Sequence, residues 1–169
     1  MDPFFIWIET SLFSTWLREN PSIMVFPFIL ILHTVGLAFL VGANVAIDAR
    51  ALGLARGVPL MSLRRYYLAM WAGFWVNAFS GVLLLIAYPT KAMTNPLFYA
   101  KLALIGAALY LARVIRRHMM EGAVTAGLRA SARLQMLAAT SLGVWVLSIF
   151  AGRFLAYTCT RLMVDSSCR

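Results

Sequence analysis

His33 lies deep in an apolar run, 21–47, that holds no other ionisable side chain before Asp48. An imidazole in such a run is costly to bury in a membrane and is usually functional, as a proton carrier, a metal or heme ligand, or a partner for another polar group. Two cations sit in comparably apolar surroundings: Lys101 in the run 96–115 and Arg153 in the run 134–158. Together they would set two positive charges beside a ligand nitrogen, an arrangement suited to an anionic cofactor. Each residue also has a plainer reading. His33 can bond a neighbouring hydroxyl or carbonyl, and Lys101 and Arg153 can extend their alkyl stems toward water.

The elements that must position these residues follow from composition. The chain has 169 residues, is 62% hydrophobic and only 12% charged, and has a mean hydropathy of +0.82. A soluble domain of this length needs more polar surface than that. Four runs, about 22–47, 66–88, 96–115 and 134–158, are each long enough for a helix to cross about 30 Å of hydrocarbon. The expectation is an all-α integral membrane four-helix bundle in contact with the lipid bilayer. Residues 1–20 should form an interfacial amphipathic helix, through Phe4, Phe5, Trp7, Phe13 and Trp16. Residues 159–169 should form a short tail. Little chain remains for a second domain, and the acidic start at Asp2 argues against a cleaved signal peptide.

The net charge of +9 is distributed by side. Arg50, Arg56, Arg64 and Arg65 fall between the first two runs; Arg113, Arg116, Arg117, Arg129 and Arg133 fall between or flank the last two. That asymmetry places these loops in the cytoplasm and both termini outside it. It accounts for the basic charge without nucleic acid, and the loops should attract anionic headgroups.

Depth orders the polar residues. At 1.5 Å per residue, His33 lies about 15–18 Å from the outer end of its run, and Lys101 and Arg153 lie nearer the outer surface. Asn77 and Ser80 on the second run fall at similar levels and can face the same interior. His118 is about 33 Å from Pro96 along the axis, too far along the membrane normal to share one metal or heme with His33. Asp48, at the inner end of the first run, should pair with Arg50, Arg64 or Arg65. Asn95 followed by Pro96 is a helix start, and Pro89 ends the preceding helix.

Cys159 and Cys168 both fall on the outer side, where a disulfide between them can form. Motifs of soluble hydrolases, phosphate-binding loops and zinc proteases are absent, as is a CxxCH heme-attachment site. With two histidines and two distant cysteines, a site for zinc or copper built from protein alone is not expected.

Trp16, Phe26-Pro27, Leu32-His33-Thr34-Val35-Gly36, Val41-Gly42, Asp48-Ala49-Arg50-Ala51-Leu52-Gly53-Leu54, Gly73-Phe74, Gly81, Asn95-Pro96 with Phe98 and Lys101, and Gly152-Arg153 with Ala156-Tyr157 occur in order along the chain. In this the chain resembles a group of small bacterial four-span inner-membrane proteins known as a domain of unknown function. It is also distantly similar to heme-binding bundles: the four-span bacterial protoporphyrinogen oxidase and the copper-resistance D and cytochrome b561-like groups. The oxidase's functional pair, a first-span histidine with a following glycine and a third-span lysine in an aromatic-x-x-Lys context, has counterparts in His33 with Gly42 and in Phe98-Tyr99-Ala100-Lys101-Leu102. Its aromatic-His pair further along the third span has no clean counterpart, since Ala112 to Arg117 precede His118.

The four-span family implies the fold and a bacterial inner-membrane location but no reaction. The distant likeness, with His33 and the two cations in an aromatic-walled bundle, leads to the expectation of a heme b-binding protein with a redox or electron-transfer role. His33 would be an axial iron ligand, Arg153 a partner for a propionate, and Lys101 a second such partner or a group facing the iron. Two other readings stay open. One is a cofactor-free accessory or scaffold subunit, acting as a homo-oligomer or within a larger membrane complex; the other is a small transporter or channel.

Overall fold

The computed structural model describes residues 3–19, 24–55, 57, 60–124 and 131–157. Arg56, Arg129, Cys159, Cys168 and the rest of the expected C-terminal tail lie outside the described residues. Seven helices are present in that range: α1 (Pro3–Glu9), α2 (Leu12–Glu19), α3 (Val25–Ala51), α4 (Leu60–Ala87), α5 (Pro89–Met93), α6 (Pro96–Val124) and α7 (Ala132–Tyr157). No strand occurs among the described residues. Four helices, α3, α4, α6 and α7, are long and apolar enough to cross a membrane. The chain is a multi-pass membrane protein.

Local chemistry sets the ends. α3 stops where Gly53 takes a left-handed φ of 83°, which a glycine adopts without steric cost. α4 stops before Pro89, whose ring opposes a helical residue in front of it. Proline then opens α5. Asn95 caps α6 by accepting a hydrogen bond from the Leu97 amide at 2.9 Å, and Ser131 caps α7 through the Leu134 amide at 3.3 Å. α3 and α6 run four and nine residues beyond the apolar runs 22–47 and 96–115, because helix formation does not stop where hydropathy falls.

The four long helices form two close pairs, α3 with α4 and α6 with α7. The pairs meet mainly along α3 and α7, while α4 and α6 keep their backbones further apart and are bridged by side chains such as Tyr67, whose hydroxyl donates to the Ala112 carbonyl. The dense core lies toward the C-terminal half of α3, where Leu40, Ile47, Met70, Ile115 and Trp145 are almost fully buried. Toward the α5 end, a smaller cluster of Leu17, Ile29 and Ala87 packs under α2. Large apolar side chains such as Phe28, Ile31, Phe39, Leu68 and Phe79 point outward, as a surface in lipid requires.

The N-terminal segment is two helices rather than one, and it is anchored by polar contacts. Proline cannot donate to the last carbonyls of α4, and α2 supplies those bonds instead. Ser14 Oγ donates to the Ile86 carbonyl at 2.8 Å, and Arg18 Nη1 donates to the Ala87 carbonyl at 2.9 Å. Arg18 Nη2 also donates to the Glu9 carbonyl at 2.8 Å, and Thr90 donates to the Glu9 carboxylate. Phe4, Trp7, Leu12, Phe13 and Trp16 remain exposed on the outer side of this pair.

Candidate functional site

Close helix approach comes first, because it brings a side chain of one helix to the main chain of the next. A Cβ on Gly36 would stand 2.6 Å from the Asn77 amide nitrogen, and one on Gly73 would stand 2.6 Å from the Leu40 nitrogen. The backbones of α3 and α4 are therefore in direct contact there, which only glycine permits.

His33 uses that proximity. Its Nδ1 lies 3.0 Å from the Asn77 carbonyl and 3.1 Å from Ser80 Oγ. In return, Asn77 Nδ2 donates to the His33 carbonyl at 2.7 Å. A carbonyl only accepts, so Nδ1 must carry the proton. Ser80 can accept alongside it, because its own hydroxyl donates to the Val76 carbonyl at 2.7 Å. In the neutral ring the lone pair then sits on Nε2. This is the arrangement that orients a metal-binding imidazole: one nitrogen fixed by a backbone acceptor, the other free to coordinate. Gly81 makes room for the ring, since a Cβ there would lie 3.2 Å from Cε1.

The imidazole borders a cavity of about 620 Å³ in the α5 half of the bundle, where α4 and α6 part. Its walls are mainly apolar, with Phe74, Leu85, Phe98 and Ile105 among them. Lys101 lines the same cavity. The lysine stem lies across Gly152 of α7: a Cβ on that glycine would meet Nζ and Cε at 3.4 Å. No hydrogen bond or ion pair meets Lys101 among the described residues. Cavities of about 300–1,000 Å³ hold ligands of drug or cofactor size.

Sequence reasoning placed His33, Lys101 and Arg153 in one site. His33 and Lys101 share the cavity. Arg153 is exposed, next in sequence to the cavity-lining Gly152, and is not itself part of the wall. His118 is away from the cavity, with Nδ1 bonded to the Val114 carbonyl of its own helix at 2.9 Å. Groups of three or more His, Cys, Asp or Glu side chains that could hold a metal ion are absent among the described residues.

Asp48 departs from expectation. It is fully buried, and Asn44 Nδ2 donates to its Oδ2 at 2.8 Å. Asn44 also donates to Ser141 Oγ of α7 at 3.1 Å. Among the described residues, no basic side chain lies within ion-pair distance of this carboxylate, so the expected arginine partner is replaced by neutral groups. Asn44, Ser141 and Trp145 were not singled out from sequence. The available signal was spacing: 44 and 48, and 141, 145 and 148, each mark one face of a helix.

No protein family, curated protein or solved structure matches this chain.

Proposed function

We propose that the chain is a heme b-binding membrane protein with a redox or electron-transfer role, its heme pocket being the cavity bordered by His33 and Lys101. The observation that carries the reading is the His33 imidazole, held through Nδ1 by the Asn77 carbonyl with Nε2 left as the donor to iron. The surroundings fit the group. The cavity is apolar and of suitable size, and a cation stands inside it to meet a propionate or face the iron. When bound, heme b supplies a one-electron iron couple. The protein's part is to orient the imidazole through Asn77 and Ser80, to exclude water with the Phe74 and Phe98 walls, and to supply positive charge from Lys101. Arg153, exposed beside Gly152, would meet a propionate only where that group reaches the bundle surface. The resemblance to heme-binding four-span bundles points the same way, through His33 and Lys101.

The same proposal takes the chain to lie in a bacterial inner membrane with both termini outside the cytoplasm. Arg64, Arg65, Arg113, Arg116 and Arg117 then meet the cytoplasmic headgroups. α1 and α2 lie on the outer surface, their exposed Trp7, Phe13 and Trp16 at the headgroup level. The test is the absorption spectrum of detergent-purified protein. A Soret band that disappears in a folded His33→Ala variant supports heme. A colourless, folded protein from heme-replete cells favours the accessory-subunit reading.

A further inference from the structure

A second polar site lies in the opposite half of the bundle, at the seam between the two helix pairs. Asn44 of α3 bonds Asp48 on its own helix and Ser141 of α7, Trp145 lies one turn beyond Ser141, and all four are at most 1% exposed. α3 and α7 run antiparallel, and side chains lean toward the N-terminus of their own helix, so Asp48 and Trp145 lean toward each other across the Asn44–Ser141 bond. Three polar atoms of these side chains have no hydrogen-bond partner among the described residues: Asn44 Oδ1, Asp48 Oδ1 and Trp145 Nε1.

The imbalance has a definite chemistry. A carboxylate enclosed in a membrane span needs a compensating cation or a proton. Among the described residues no ion pair reaches the Asp48 carboxylate. The Tyr67 hydroxyl of α4 donates to the Ala112 carbonyl at 3.2 Å. The Arg116 guanidinium is stacked 4.8 Å above the Tyr67 ring.

The geometry points to a binding site for a monovalent alkali cation, sodium in the first instance, held by Asp48 Oδ1, Asn44 Oδ1 and Ser141 Oγ. One carboxylate among neutral oxygens suits a single positive charge, whereas divalent ions draw on more carboxylates or on phosphate. A water in the ion's shell accepts the Trp145 indole N–H. A proton shared by the two Oδ1 atoms would leave that N–H unmet. This site is separate from the His33 cavity and does not depend on the heme reading.

Thermal melting of the full-length protein in detergent tests the site, with sodium chloride replaced stepwise by choline chloride at constant ionic strength and pH. The melting temperature should rise with sodium and saturate, as it does for any ligand that binds only the folded state. Asp48→Asn, a neutral isostere, should fold and show no sodium response, while His33→Ala should respond like wild type. Ser141→Ala should raise the half-saturating sodium concentration by about tenfold, the loss of one ion ligand. The site is overturned by a wild-type melt indifferent to sodium, including one that shifts with pH alone. It is equally overturned if the sodium response survives in Asp48→Asn.

Discussion

The Asn77 side chain donates to the His33 carbonyl at 2.7 Å, while the His33 imidazole binds the Asn77 carbonyl at 3.0 Å. Each residue closes on the other's main chain, so the tautomer and direction of the ring are set by a neighbouring helix. Asn77→Leu should cost about 1–3 kcal/mol of stability, because it strips the donor from a carbonyl between packed helices. Under the proposed heme reading, it should also release heme faster than wild type. Denaturant melts and heme-transfer kinetics check the two effects separately.

Glycine at positions 36 and 73 is a steric requirement. Gly36→Ala or Gly73→Ala should lower stability by about 1–3 kcal/mol, since the new methyl meets backbone and the helices must part. Gly42→Ala and Gly106→Ala are the controls: nothing lies within 4 Å of a Cβ there, and better helix propensity should add up to about 1 kcal/mol. Parallel melts of the four variants decide the point.

Lys101→Met keeps much of the stem that crosses Gly152 and removes the charge. The fold should persist, and heme affinity should fall about 10- to 100-fold if the ammonium makes one charge-assisted bond to the cofactor. Titration of heme into apoprotein gives that ratio. An unchanged affinity would reduce Lys101 to a wall residue.

The N-terminal helices are held to α4 through few contacts. Arg18→Ala removes the donor to the Ala87 and Glu9 carbonyls and the guanidinium placed 5.8 Å from the Tyr88 ring. Amides in 3–19 should then exchange faster, with little change in α3, α6 or α7. Hydrogen–deuterium exchange by mass spectrometry measures this directly.

What could be read from the sequence divides along physical lines. Hydropathy marks the spans because lipid demands about 20 apolar residues in a row, and Asn95-Pro96 marks a helix start because the capping chemistry is local. His33 stood out because an imidazole is rare at that depth. Which side of a helix faces inward is set by packing, and here it placed Lys101 in the cavity wall and Arg153 on the surface. Asp48 shows the same limit. Arginines near in sequence suggested an ion pair, but the α3–α7 contact instead presents Asn44 and Ser141, 97 residues apart in the chain.

The most direct test of the proposed function is the visible spectrum of wild type and His33→Ala, purified in detergent from heme-replete cells and matched for folded content by circular dichroism. The account expects a Soret band in the wild type and its loss in the variant. A wild-type protein that is folded and colourless, or a band that survives unchanged without the imidazole, would contradict it.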